Sequence, residues 1–317
     1  MRADLGHFST PTPELVRAAV SAAVAAHPLV GSGDKMAVDK VAVDAMRQTF
    51  NSFDFGGVVV IGEGAKDEAP MLFNGEVLGR GDSVDWDIAV DPIDGTRLAA
   101  EGVPGAVAVV AATSVGTMMN CPDVYFMKKL VSGAAGFGVL DIENSASENI
   151  YLLAQALGKP VSQLVVAVIN KTANQALIKE VKACGAIWHR FDEGDVAIAV
   201  AAATPGSGID MMLGIGGNPE GVLAASAVKA LGGFMQGVLA PRNEEEVTSA
   251  IAAGYHPTQK LELGDLVGDG RQVFVLAGVT PGILADEVAI DSNGTQKVDV
   301  FVIDSDAGGT HKVSVEL

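Results

Sequence analysis

The sequence predicts a mixed α/β protein in which apolar strands are covered by amphipathic helices. Three observations point there. Ala, Val and Gly are abundant in a chain that is 49% apolar but only 5% aromatic, and small or β-branched apolar runs suit buried strands with helices on their faces. Two helical segments and three apolar strands are legible in the first third of the chain. From about residue 160 the pattern becomes a strand–helix alternation, the rhythm of a layered α/β unit.

The elements follow in order. Thr10-Pro11-Thr12-Pro13-Glu14 reads as a Thr cap, a first-turn proline and an acid, which predicts a helix over 13–26. Gly31-Ser32-Gly33 marks a turn before a second helix, 35–50. Met36, Asp39, Val43, Met46 and Phe50 share one face of that helix, and Asp39 is the only charge on it. An unpartnered carboxylate on a buried stripe would be costly; taken alone, an acid near a helix start is more simply a capping or surface residue. Strands are predicted over 57–61, ending in Gly62-Glu63-Gly64, and over 84–90, ending in Asp91-Pro92-Ile93-Asp94-Gly95-Thr96. A third, 106–113, is their neighbour. Beyond residue 160, strands over 164–169, 186–190 and 209–215 alternate with helices over 173–183, 195–203 and 219–231. Strands at 273–277 and 298–303 close the chain. Gly158-Lys159-Pro160 is the expected break between an N-terminal metal-binding subdomain, 1–160, and a C-terminal substrate subdomain, 161–317.

Composition excludes several functions. A net charge of −18 argues against nucleic acid and anionic membranes as partners, since both need clustered Lys and Arg. No apolar run reaches membrane-spanning length, and Met1-Arg2-Ala3-Asp4 lacks the apolar stretch of a signal peptide. Cys121 and Cys184 are far apart and form no CxxC, so two reduced thiols in a cytoplasmic protein are expected.

The chemistry lies in acids. Asp39, Glu63 and the pair Asp91/Asp94 each sit at a helix start or beyond an apolar strand. Glu220 lies in Gly216-Gly217-Asn218-Pro219-Glu220-Gly221, between a strand and a helix. Gathered carboxylates repel one another, and hard divalent cations relieve the repulsion. Oxygen ligands suit Mg²⁺ or Mn²⁺ better than zinc. Metals also let an acidic site hold a phosphate, and two of them can activate a water and stabilise a leaving oxygen. Six fixed residues at ~5% usage each recur by chance roughly once in ten million positions. Asp91–Thr96 is therefore a specific signal, whereas Gly62-Glu63-Gly64 and Gly214-Ile215-Gly216-Gly217 alone are weak ones.

From Gly33 to about Gly282 the chain resembles class II fructose-1,6-bisphosphatases, within the lithium-sensitive, metal-dependent phosphatase superfamily. The resemblance rests on Gly33-Asp34-Lys35…Asp39, Ile61-Gly62-Glu63-Gly64…Asp67-Glu68-Ala69-Pro70-Met71-Leu72 and Asp87 to Thr96. It continues in Pro122-Asp123-Val124-Tyr125, Gly194-Asp195-Val196-Ala197 and Gly214 to Gly221. It implies alternating α-β-α-β-α layers in two subdomains with the active site in the cleft. It also implies metal-dependent hydrolysis of the 1-phosphate of fructose 1,6-bisphosphate, giving fructose 6-phosphate, by a water without a phosphoenzyme. By the same resemblance Asp39, Glu63, Asp91, Asp94 and Glu220 are metal ligands for two or more Mg²⁺ or Mn²⁺. Thr96 positions the attacking water, with Lys35 and Asp67 as supporting catalytic groups. Asp94, Gly95 and Thr96 hold the scissile phosphate, while Tyr125, Lys171, Glu193, Gly194, Asp195 and Gly217 contact substrate. A homodimer or homotetramer is implied.

One departure bears on substrate. Lys171-Thr172-Ala173 stands where the family has Lys/Arg-Pro-Arg, which removes a bidentate phosphate clamp. His189, Arg190, Lys128 and Lys129 are the cations that could replace it. Sedoheptulose 1,7-bisphosphate or an inositol-type monophosphate stays open as a substrate, and the Gly-rich 214–221 segment leaves open a sugar-phosphate-binding module.

Overall fold

The computed structural model describes residues 2–64, 71–120 and 123–317. The chain forms two compact units. One contains Met1–Met118 and Asp269–Leu317; the other is Met119–Gly268. Elements are numbered here in chain order.

The first unit opens with α1 (Thr12–Ala26), α2 (Lys35–Phe50), β1 (Gly56–Ile61), β2 (Val77–Gly79), β3 (Trp86–Asp94), α3 (Thr96–Glu101) and β4 (Val107–Ser114). The second contributes β5 (Phe126–Ser132), α4 (Ala146–Ala156), β6 (Val165–Ile169), α5 (Gln175–Ala183), β7 (Ile187–Phe191), α6 (Asp195–Ala203), β8 (Met211–Gly217), α7 (Asn218–Ala230), β9 (Phe234–Leu239), α8 (Glu244–Ala252), β10 (Leu261–Glu262) and α9 (Leu263–Leu266). The chain then returns to the first unit as β11 (Gln272–Gly278), β12 (Ala289–Ile290), β13 (Gln296–Asp304) and β14 (Thr310–Glu316).

In the first unit the sheet order is β12-β13-β11-β4-β3-β1-β2, with β14 also on β13. Only β1 and β3 run parallel; the other pairs are antiparallel. Alternate residues of the strands, among them Val59, Ile88, Val110, Val275 and Val300, bury one face against α1 and α2. The two helices also pack on each other through Leu15, Ala19, Val38, Ala42 and Met46. Thr10 does not cap α1, whose N-cap is Pro11. Asp34 caps α2 by accepting from Ala37 N at 3.0 Å. The expected stripe on α2 holds except at its start, where Met36 is 82% exposed.

The second sheet runs β10-β9-β5-β8-β6-β7. Here β6 is parallel to β7 and β8, while β5 is antiparallel to β8 and β9. Leu130, Val166, Val168 and Leu213 face α4 and α5. Met127 and Lys129 point the other way, toward Gly221 on α7. Both faces are thus helix-covered, and the central strands β6 and β8 read as near-continuous apolar runs. Among the described residues no helix is long and apolar enough to cross a membrane.

The unit boundaries fall at 118/119 and 268/269, not at the expected residue 160. The cause is β5, which lies early in the chain yet pairs with β8 and β9. Its two lysines, Lys128 and Lys129, mask it as a strand. The return of the C-terminal strands to the first unit is held by a buried carboxylate. Asp304 accepts from Thr12 Oγ1 at 2.7 Å, Arg271 Nη2 at 2.7 Å and Nε at 3.1 Å, and Asp306 N at 3.0 Å. Burial alone would raise its pKa, but the bonds from Arg271 and Thr12 prevail and hold it below the usual carboxylate value. Removing one partner of such a pair leaves a buried charge uncompensated. Asp304→Ala should therefore lower stability by about 2–4 kcal/mol in urea denaturation, and Thr12→Val by about 1 kcal/mol.

Candidate active site

In the first unit the acids collect at one end of the two parallel strands. The register pairs Val59 with Ile88 and Ile61 with Ala89, so Glu63 and Asp91 both lie just past that level. β3 continues through Asp94, with a register shift against β4 between Asp91 and Asp94. The motif is thus an irregular strand end rather than a turn beyond the strand. Asp91 Oδ1 accepts from Ile93 N at 3.1 Å, and Thr96 Oγ1 donates to Ile93 O at 3.0 Å. Asp94 is buried. Gly95 is left-handed, with φ 88°, and a Cβ there would press on Leu98 Cδ1 at 3.1 Å, so glycine is required to turn from β3 into α3.

Asp39 belongs to the same neighbourhood. Burial raises its carboxyl above the ordinary value. Glu63 is pushed up to about 7, first by burial and then by the charge of Asp39. Lys35 is exposed at the first position of α2. Asp67 lies outside the described residues. Among the described residues, no three His, Cys, Asp or Glu side chains are gathered closely enough to enclose an ion. The oxygen-only donor set, with Asp39 held up by burial and Glu63 by burial and the charge of Asp39, nevertheless fits a hard cation.

In the second unit the expected substrate residues share one end of the sheet. Lys171 follows β6; Glu193, Gly194 and Asp195 follow β7; and Gly217 ends β8. Tyr125 precedes β5, whose first residue pairs with Gly217. Gly194, at φ 80°, starts α6. The segment after β6 is tied to β8 by Asn174, which accepts from Ile215 N at 2.8 Å and donates to Ile215 O at 2.9 Å. β6 and β8 lead to helices on opposite faces, the arrangement that opens a ligand crevice beyond strand ends.

Lys129 is the group around which this end is built. Its ammonium is buried and donates to Asp195 Oδ2 at 2.5 Å and Gly217 O at 2.8 Å. Glu220 lies beside them, its carboxyl raised by burial first and by Asp195 next, against the lowering effect of Lys129 and Lys171. Its Oε2 is buried and has no hydrogen-bond partner among the described residues. A Cβ on Gly217 would overlap that carboxylate, so only glycine fits there.

The cations expected to replace the missing arginine are otherwise engaged. Lys129 is committed to Asp195. Lys128 Nζ donates to Ile142 O at 2.6 Å. Arg190 makes an exposed pair with Asp192 at 3.1 Å. The pKa of His189 is lowered by burial, which favours its neutral form. Sequence reasoning passed over Arg242, which lies at 4.1 Å over the ring of Tyr125. Its signal was faint, a lone arginine between a proline and an acidic helix start.

Comparison with known proteins gives this arrangement a class, the phosphoric monoester hydrolases. The model of the bacterial fructose-1,6-bisphosphatase family, glpX-encoded, matches residues 10–316. Fructose-1,6-bisphosphatase 1 class 2 of Escherichia coli K12 is 39% identical over 295 residues, covering 88% of this chain and 87% of that protein. The class 2 enzyme of Shigella flexneri matches equally well. The chain belongs to this bacterial fructose-1,6-bisphosphatase family. Among solved structures, inositol monophosphatase from Anabaena (Nostoc) sp. PCC 7120 superposes with a TM-score of 0.32 and 16% identity, over 61% of this chain and 71% of that one.

The raised Glu63 carboxyl has a consequence for stability. A folded pKa near 7 against 4.5 ordinarily favours the folded state while the group is protonated. That contribution is complete below about pH 4.5 and is lost as pH rises through 7. Chelator-treated protein should therefore lose up to about 3 kcal/mol between pH 5 and 8. Thermal melts should show Glu63→Gln flattening this loss, and Mn²⁺ restoring stability at pH 8.

Proposed function

We infer that this chain hydrolyses the 1-phosphate of fructose 1,6-bisphosphate to give fructose 6-phosphate and phosphate. The observation that carries the reading is the set of half-buried and buried carboxylates at the ends of β1 and β3, inside a chain of this family. We propose Asp39, Glu63, Asp91, Asp94 and Glu220 as ligands of two or more Mg²⁺ or Mn²⁺ ions. The orphaned Oε2 of Glu220 and the raised carboxyls of Asp39 and Glu63 support that set. When bound, such ions supply Lewis-acid polarisation of the phosphate and a water of lowered pKa.

The residues of the chain have distinct tasks in this reading. Thr96 donates its hydroxyl proton to Ile93 O, so the Oγ1 lone pairs are left to accept from a water and orient it. Gly95 lets the backbone turn so that Gly95 and Thr96 can hold the scissile phosphate with N–H groups. Lys35 and Asp67 are proposed as supporting groups beside the metals. The rim of the second sheet, Tyr125, Lys171, Glu193, Gly194, Asp195 and Gly217, takes the rest of the substrate. The form we propose is a cytoplasmic homodimer or homotetramer serving gluconeogenic or Calvin-type carbon metabolism.

Phosphate release from fructose 1,6-bisphosphate by metal-stripped protein, with and without Mn²⁺, tests the reading. Asp91→Asn should reduce Mn²⁺-dependent turnover by at least about 10³-fold while the melting temperature of the metal-free protein stays close to wild type. Turnover near the wild-type rate would remove Asp91 from the site. Trapping of a phosphoenzyme would rule out direct attack by water.

A further inference from the structure

We propose that Arg242 is the residue that grips the substrate phosphate that is not hydrolysed. The proposal rests on the sugar-bisphosphatase reading above and names the group that would select a second phosphate. Arg242 follows the exit of β9. β9 is antiparallel to β5 and pairs Leu239 with Met127, and Ala240 N donates to Phe126 O at 2.9 Å. The chain therefore leaves β9 at the end of the sheet where Tyr125 enters β5 and β8 ends at Gly217. Arg242 is placed on the rim that carries Lys171, Gly194 and Asp195.

Its geometry is fixed from two sides. The guanidinium carbon lies 4.1 Å from the centroid of Tyr125 and 5.6 Å from that of Phe126. Glu246, a buried acid in the first turn of α8, accepts from Arg242 Nε at 2.6 Å and lies 2.5 Å from Nη2. The same carboxylate accepts from Arg242 N at 3.0 Å. Asn243 caps α8 by accepting from Glu246 N at 2.9 Å, which fixes the acid in turn. A surface arginine normally samples many rotamers, and ordering it on binding costs free energy. Here the stacking and the buried partner order it in advance.

The remaining donors match a phosphate. A guanidinium has five N–H groups. Glu246 occupies the Nε edge, and Nη1 makes no hydrogen bond to any described residue. The end-on pair, one N–H from Nη1 and one from Nη2, is left for a planar two-point contact with phosphate oxygens. The side chain is 48% exposed and Tyr125 is 54% exposed, so both are reachable from solvent. Arg190, the other arginine near this rim, lacks this setting, because its partner Asp192 is itself 40% exposed and no ring fixes its plane. Lys129 is buried and spent on Asp195. That leaves Lys171 as a mobile point charge and Arg242 as the ordered fork.

The test compares substrates with and without the second phosphate. Arg242→Gln and Arg242→Lys are assayed on fructose 1,6-bisphosphate and on fructose 1-phosphate. The glutamine variant should lose about 10- to 100-fold in kcat/KM on the bisphosphate, mostly through KM, with fructose 1-phosphate turnover unchanged. The lysine variant should recover part of the loss. Equal losses on both substrates, or an unchanged KM for the bisphosphate, would overturn the assignment. Calorimetric binding of fructose 6-phosphate gives an independent reading, since that compound keeps the phosphate in question. Wild type should bind it about 10- to 100-fold more tightly than Arg242→Gln, and equal affinity refutes the role of Arg242. If wild type releases no phosphate from either substrate, the hydrolase reading fails, and the binding comparison still decides on Arg242.

Discussion

A lysine ammonium buried beneath the end of the second sheet sets the terms for that half of the molecule. Lys129 holds Asp195 and the carbonyl of Gly217, and it lies next to Glu220. Without that charge two carboxylates would face each other in a region poor in water, at a cost of several kcal/mol. With it, α6 and α7 can both begin at the sheet end, and the loops carrying Gly194 and Gly217 have fixed positions. Burial and Asp195 raise the remaining carboxyl, Glu220, and its Oε2 has no hydrogen-bond partner among the described residues. The first unit solves the same problem differently. Burial raises Asp39, and burial with the charge of Asp39 raises Glu63, a cost that a proton or a cation relieves.

This contrast explains a chain of −18 net charge that handles an anion. Five of its 39 acids make up the proposed ligand set, while Lys171 and Arg242 are the cations proposed to meet a phosphate at the end of the second sheet. In the proposed reading a phosphate at that sheet end is held by groups at strand ends rather than on long flexible loops.

Much of the scaffold was legible in sequence because its signals are local. The helices α2, α6 and α7 and the strands β6 and β8 follow from periodicity, caps and glycine breaks, and Asp91–Thr96 stands out by improbability. What escaped is non-local. β5 hides behind Lys128 and Lys129, since a strand is recognised by alternation and two adjacent lysines break it. Only the pairing with β8 and β9 shows that one of them faces inward. The expected boundary at residue 160 missed for the same reason, because the strands after residue 269 belong to the sheet begun by β1, and a returning chain leaves no mark in local composition. The ligand roles of Asp39, Glu63 and Glu220 came from resemblance. Spacing alone had favoured an ordinary helix-start acid at Asp39.

Arg242 illustrates the limit most sharply. Reading motif by motif, the loss of an arginine at Lys171-Thr172-Ala173 looked like the loss of a function. Lys128, Lys129, His189 and Arg190, the replacements the sequence offers, are committed elsewhere or lowered in charge by the fold. A sheet end, however, is assembled from every strand that terminates there, whatever its place in the chain. Tyr125 and Arg242 are 117 positions apart in sequence yet stack at 4.1 Å, because β5 and β9 are hydrogen-bonded neighbours. The same local chemistry can then be supplied from a different strand while the scaffold stays unchanged. In the proposed reading, substrate preference follows from which strands bring a cation to the rim, and the ordered guanidinium on β9's exit takes the phosphate that Lys171-Thr172-Ala173 does not clamp.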